Sequence, residues 1–258
     1  MPLLDVKDLT KNFGGLAAVS HVTMNLETNE LVGLIGPNGA GKTTLFNLLT
    51  GVYVPSEGDV IFESQGKTER LNGVKPYKIA DKGISRTFQN IRLFKDLTVM
   101  ENVLIAMNGK HQVSLVTSIL RLPKFYKTEA KLKAKAYELL AIFKLEEKAD
   151  VLAKNLPYGE QRRLEIVRAL ATEPKLLFLD EPAAGMNPQE TAELTELIRK
   201  IQKEFQLTIL LIEHDMSLVM EVCERIYVLE YGQIIAEGDP EMIKTNPRVI
   251  EAYLGGEM

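Results

Sequence analysis

Residues Gly36-Pro37-Asn38-Gly39-Ala40-Gly41-Lys42-Thr43-Thr44 have the types and spacing of a loop that cradles phosphate: glycine, four residues, then Gly-Lys-Thr. Glycines let a backbone curl until successive N–H groups face one anion. Thr43 to Thr50 reads as a helix closed by Gly51, and its N-terminus adds partial positive charge at the same point. Lys42 can reach the outer phosphates of a nucleotide, and the Thr43 hydroxyl can hold Mg²⁺. Upstream, the apolar run Leu31 to Ile35 reads as a buried strand. Strand, glycine loop and helix in that order separate this stretch from a glycine-rich turn that merely carries a lysine.

A second chemical cluster lies far downstream. Leu176-Leu177-Phe178-Leu179-Asp180-Glu181 is an apolar strand ending in two acids. A carboxylate at a strand's C-terminal end suits Asp180 to hold Mg²⁺, usually through water. Glu181 can accept a proton from an attacking water. Two adjacent acids alone equally describe a turn or a helix cap. With a phosphate loop upstream they point to nucleotide hydrolysis.

The elements that must carry these groups follow from the hydrophobic pattern. Leu3 to Leu9, Val19 to Leu26, Val60 to Phe62 and Ile84 to Phe88 read as strands, with Val22, Met24 and Leu26 alternating with polar neighbours. Thr98-Val99-Met100-Glu101 is a capping box opening a helix through about Met107. Residues 128–150 are rich in Lys, Glu, Ala and Leu, and Leu132, Leu139, Leu140 and Phe143 form a helical stripe. The helical region, roughly 90–160, interrupts an otherwise alternating chain. Alternation resumes with a helix from Glu160 to Ala171. Asn187-Pro188 then opens a helix with an N-cap and a first-turn proline. Thr208 to Ile212 is a strand, followed by a helix through Cys223. Ile226 to Leu229 and Ile234 to Ala236 flank the turn Tyr231-Gly232, and two short helices finish the chain.

Composition bounds the classes. The 258 residues can bury a real core, and 45% hydrophobic with 26% charged residues is ordinary for a globular protein. A net charge of -4 argues against a general nucleic-acid binder. Cys223 is the single cysteine, so no internal disulfide can form, and its apolar helical setting makes it buried filler in a reducing cytoplasm. Apolar runs such as Leu207 to Ile212 are far shorter than the ~20 residues that span a bilayer. The N-terminus lacks the basic region and apolar core of a signal peptide.

Taken together, these motifs resemble the ATP-binding subunits of ABC transporters over essentially the whole chain. The resemblance implies an α/β fold: a P-loop NTPase core with an N-terminal antiparallel β region and an inserted helical lobe. It implies one ATP-binding domain over 1–258, with the lobe at about 90–160 and a C-terminal extension at about 237–258. ATP and Mg²⁺ are the implied cofactors. Gly36 through Thr44 would bind the phosphates, with Lys42 also assisting catalysis. Gln89, in Arg86-Thr87-Phe88-Gln89, matches the family's Q-loop glutamine, which contacts Mg²⁺ or the attacking water and senses the membrane partner. His214, in Ile212-Glu213-His214-Asp215, matches the switch histidine at the γ-phosphate. Phe13 lies where the family stacks an aromatic ring on adenine. Pro182-Ala183-Ala184-Gly185-Met186-Asn187 occupies the D-loop, with Asn187 where aspartate is common and also suited to capping its helix. Leu156-Pro157-Tyr158-Gly159-Glu160-Gln161 aligns with the signature motif Leu-Ser-Gly-Gly-Gln, but Pro157 replaces the serine hydroxyl. Gly159, Glu160 and the N-terminus of the following helix would keep the contact to phosphate bound by an opposing subunit. Arg162-Arg163 reads as a solvated helix face.

Arg86 to Phe94, Tyr158 to Ile166 and the tail from Glu237 to Gly255 are similar to ATPase subunits that power branched-chain amino acid import. Transmembrane permeases, a second ATPase subunit or another copy of this chain, and indirectly an extracytoplasmic solute-binding protein are the implied partners. The location implied is peripheral, at the cytoplasmic face of the membrane. ATPases for urea or amide import and for lipopolysaccharide export share much of this pattern. A soluble ATPase of iron–sulfur cluster assembly and a regulatory nucleotide switch are the alternatives from other classes; Glu181 argues against the switch.

Overall fold

The computed structural model describes residues 2–64, 66–108 and 123–254. The chain forms two compact units, Met1–Arg86 with Lys175–Met258, and Thr87–Pro174.

Three strands of the first unit, β3 (Leu31–Ile35), β7 (Leu176–Asp180) and β8 (Thr208–Ile212), are buried at every residue. Continuous apolar runs of this kind fit strands covered on both faces, the usual setting of a parallel sheet. With β6 (Ile84–Arg86), β9 (Arg225–Glu230) and β10 (Gln233–Gly238) they make a six-stranded sheet in the order β10-β9-β3-β8-β7-β6. Only the β9–β10 pair is antiparallel; the other pairs are parallel. Tyr231 and Gly232 join β9 to β10 with φ of 47° and 78°, the two left-handed residues a tight hairpin needs.

A four-stranded antiparallel sheet, β2-β1-β4-β5, uses β1 (Leu4–Phe13), β2 (Leu16–Leu26), β4 (Glu57–Ser64) and β5 (Lys67–Arg70). Its inward residues Val6, Val22, Met24 and Leu26 share one core with Leu45 and Phe46 of helix α1 (Lys42–Leu49) and with Leu34, Leu210 and Ile212 of the larger sheet. The β1–β2 hairpin is longer than its hydrophobic alternation indicates. Asn12 pairs with Ala17 and Phe13 with Leu16 around Gly14-Gly15, and these outer pairs are exposed, so no apolar pattern marks them. The remaining helices of this unit are α2 (Pro76–Asp81), α6 (Pro188–Glu204), α7 (Met216–Val222), α8 (Pro240–Thr245) and α9 (Pro247–Leu254). Asn187 caps α6 in a full capping box with Glu190. Cys223 is buried, which pushes its thiol up in pKa.

The second unit contains α3 (Val99–Asn108), α4 (Pro123–Ile142) and α5 (Tyr158–Leu170). Thr98 and Glu101 close the expected capping box at 2.7 and 3.1 Å. Leu132, Ala136, Leu139, Leu140 and Phe143 form the buried stripe of α4 and the residue just after it. The expected helical region, roughly 90–160, includes 109–122, which lie outside the described residues, as do 255–258 of the expected C-terminal extension.

Two expectations are corrected here. The strand expected from Ile84 to Phe88 stops at Arg86, because the Phe88 N–H is taken by a Glu165 carboxylate oxygen at 3.3 Å instead of a strand neighbour. Arg162 does not lie on a solvated face: it is 1% exposed. Its guanidinium donates to the Phe88 carbonyl at 2.6 Å, to the Gln89 carbonyl and to Glu165 at 3.0 Å. Glu165 also accepts from the Arg92 N–H at 3.3 Å. Burial pushes the Glu165 carboxyl up, and Arg162 with the two backbone N–H groups opposes this. The pair therefore holds the backbone on both sides of Asn90-Ile91 against α5. Arg162→Met keeps the aliphatic stem but leaves Glu165 buried without its partner. It should cost about 3–5 kcal/mol in urea unfolding. Arg162→Met with Glu165→Leu should recover much of that loss, and equal midpoints for wild type and the single variant would refute the account.

Candidate functional site

The site begins with strand register. Ile212 of β8 is level with Leu34 of β3 on one side and with Asp180 of β7 on the other. The next residues along each strand are therefore delivered to one edge of the sheet: Ile35-Gly36 from β3, Glu181 from β7, and Glu213-His214 from β8. This is the edge at which parallel α/β sheets bind ligands.

The phosphate loop runs from Gly36 into α1. A Cβ on Gly36 would lie 2.0 Å from the Leu229 carbonyl oxygen, so only glycine fits there. Gly36 and Ala40 are buried, Pro37 and Thr44 half-buried, and Asn38, Gly39 and Thr43 exposed. Lys42 is buried, and its ammonium donates to the carbonyls of Gly36 at 2.6 Å and Pro37 at 2.9 Å. Burial lowers its pKa, and the nearby Glu181 charge raises it in opposition. The charge of the acid in one motif is thus felt at the cation of the other.

Glu181 has φ 48°, a left-handed conformation uncommon outside glycine and found often at functional sites. Its N–H donates to Ile212 O at 2.9 Å, and its Oε1 meets His214 Nε2 at 3.1 Å. Asp180 is buried and ion-paired at 2.6 Å with Arg86, the last residue of β6. Arg86 also donates to Asn47 at 2.7 Å and Thr50 at 3.2 Å, tying Asp180 to the phosphate-loop helix. Sequence reasoning passed over Arg86, which ends the three-residue strand Ile84-Ser85-Arg86 with no apolar pattern to mark it. It also passed over Glu213, a buried acid beside His214. The Glu213 oxygens accept from the N–H groups of Ala183 at 2.7 Å and His214 at 3.1 Å.

Phe13 stands apart on the β1–β2 hairpin, 44% exposed, edge-to-face with Tyr53 and beneath the Lys11 ammonium. In the second unit Gln89 is exposed, Gly159 is buried in the first turn of α5, and Glu160 pairs with Lys148 at 2.5 Å. Pro157 stands at the N-cap of α5 and supplies no side-chain hydrogen bond.

A cavity of about 760 Å³ opens beside Gly36 to Ala40 and His214. Its far wall is α9, through Arg248, Glu251, Ala252 and Tyr253. Burial raises the Tyr253 phenol, and a hydrogen bond from the Gly36 backbone opposes it. No sequence pattern announced that the last helix would reach the phosphate loop. Among the described residues no cluster of three or more His, Cys, Asp or Glu is placed to hold a metal.

Residues 19–184 match the family model described as ABC transporter, and residues 233–258 the model described as branched-chain amino acid ATP-binding cassette transporter. The chain is 48% identical to the high-affinity branched-chain amino acid transport ATP-binding protein LivG of Escherichia coli K12, over 98% of both proteins. It is 46% identical to BraF of Pseudomonas aeruginosa, a protein of the same description, again over 98% of both. Among solved structures, the ADP conformation of the ATP-binding cassette MJ1267 superposes with a TM-score of 0.84, 33% identity and 99% coverage of each chain.

Two glycines of the loop should respond differently to one methyl group. Gly39 has φ 79°, but a Cβ there would meet nothing within 4 Å. Gly39→Ala should cost only the strain of a left-handed alanine, about 1–2 kcal/mol. Gly36→Ala must also push the Leu229 carbonyl aside and should cost clearly more. Thermal melting of the two variants checks the order, and equal losses would contradict it.

Proposed function

The chain belongs to the ABC transporter ATP-binding family, and on that premise we propose that it is the ATP-hydrolysing subunit powering import of branched-chain amino acids through separate membrane subunits. The observation that carries the reading is the Glu181–His214 contact of 3.1 Å, beside the strand that launches the phosphate loop. The solute rests on the printed descriptions of the relatives and of the model matching the tail.

In this reading the loop N–H groups and the α1 N-terminus hold the ATP phosphates. Lys42 exchanges its two loop carbonyls for phosphate oxygens. Thr43 and Asp180 offer hard oxygen donors, which suits Mg²⁺, and Gln89 is a further candidate donor. When bound, Mg²⁺ would neutralise charge on the phosphates. Glu181 takes the proton of the attacking water. The imidazole of His214 orients that carboxylate and meets the γ-phosphate. Phe13 stacks on adenine. Gly159, Glu160 and the N-terminus of α5 serve the nucleotide of a second ATPase chain, without the hydroxyl that Pro157 lacks.

The whole chain then acts as one ATP-binding domain. Residues about 90–160 form the lobe that meets the permease, and about 237–258 an extension. No described helix is long and apolar enough to cross a membrane. In this reading the chain docks peripherally at the cytoplasmic face, on the membrane subunits. An extracytoplasmic solute-binding protein would act indirectly, through the permeases.

Glu181→Gln should lower ATP turnover by roughly 10²–10⁴ while leaving nucleotide affinity intact. Lys42→Ala should instead weaken nucleotide binding itself. Turnover assays and calorimetry separate the two, and near-normal hydrolysis in Glu181→Gln excludes it as the base. For the solute, disrupting the gene should lower uptake of radiolabelled leucine, isoleucine and valine at low external concentration. Complementation with Glu181→Gln should not restore it. Normal leucine uptake with lost urea uptake would overturn the solute while leaving the ATPase mechanism standing.

A further inference from the structure

The acid beside His214 is engaged by the backbone of two segments. Glu213 is 3% exposed, and its carboxylate is spent on backbone. Oε1 accepts from the Ala183 N–H at 2.7 Å, and Oε2 from the His214 N–H at 3.1 Å. The Asp215 N–H adds a third backbone interaction. We propose that Glu213 is a positioning residue for hydrolysis, clamping the segment after Glu181 to the segment carrying His214 and so setting the distance at which those two side chains meet.

The geometry explains why a carboxylate stands there. Glu181 sits between two ties from its own loop to β8 and the turn after it. Its own N–H reaches Ile212 O at 2.9 Å, and two residues later the Ala183 N–H reaches Glu213. A left-handed residue such as Glu181 persists only when its surroundings hold it. Two N–H donors converge on Glu213 from different loops, and a carboxylate offers each an oxygen. Glutamine has the same shape but one acceptor, and its amide group would confront one of the donors. Burial raises the pKa of the Glu213 carboxyl, with the hydrogen-bonded backbone opposing and the Glu181 charge adding to the rise. That penalty falls on a group whose two oxygens are taken by backbone N–H groups, consistent with a role in holding the loops.

The inference rests on reading Glu181 as the base and His214 as its partner, and the test keeps the two apart. The purified full chain is assayed for ATP turnover, and nucleotide affinity is measured by calorimetry. Glu213→Gln should lower kcat by about 10- to 100-fold, the scale of an ångström-level misplacement. KM and nucleotide affinity should stay within about twofold. Glu213→Asp keeps both acceptors on a shorter stem and should fall between wild type and the glutamine variant. In a His214→Ala background Glu213→Gln should add less than about threefold, because residues acting as one unit are non-additive. Melting temperatures confirm that each variant is folded. A kcat unchanged by Glu213→Gln, an affinity lost in step with kcat, or a loss that multiplies in full with His214→Ala overturns the clamp. Turnover surviving both Glu181→Gln and His214→Ala would instead overturn the underlying reading.

Discussion

Everything at the site depends on the register of three neighbouring parallel strands. Leu34, Ile212 and Asp180 form one row across β3, β8 and β7, and the loop, the acids and the histidine are the residues that follow. A slip of one residue would turn every side chain of a strand to the opposite face. These strands are buried throughout, so a slip would disturb packing above and below the sheet. The hydrophobic core is in this sense the ruler for the chemistry.

Charge is distributed unevenly over that frame. Asp180 is matched by Arg86, and Glu213 is occupied by backbone donors. Glu181, between them in sequence, meets His214, and its charge acts on the Lys42 ammonium. Buried acids persist only when hydrogen-bonded or paired. The same device appears in the second unit, where Arg162 and Glu165 are satisfied by each other and by loop backbone. In both units a fully engaged acid fixes a loop.

The parts legible in the sequence are those determined by neighbours along the chain. The glycine loop, the strand ending in Asp180, the caps at Thr98 and Asn187 and the Tyr231-Gly232 hairpin each depend on a few adjacent residue types. The α/β class follows from their order. What escaped were partnerships between distant residues. Arg86 meets Asp180, Arg162 meets Phe88 and Gln89, and Tyr253 meets Gly36, all across long stretches of chain. Arg162 looked solvated because a charged helix residue carries no local mark of burial. The outer part of the β1–β2 hairpin escaped for the opposite reason: its pairs are exposed and show no periodicity.

The position of β3 carries a consequence for how the molecule comes to exist. This strand is made early, yet both of its neighbours, β8 and β9, belong to the last quarter of the chain. Until those residues leave the ribosome, the phosphate loop has no sheet edge to stand on. The Leu229 carbonyl that demands glycine at position 36 does not yet exist as a neighbour. The second unit, in contrast, is contiguous, so all of its residues are made before β7, β8 and β9. Long-range pairing of this sort is slow to form. The oldest motif on the nascent chain is therefore among the last to acquire its shape, and nucleotide in the cell meets a finished loop only when synthesis is nearly over.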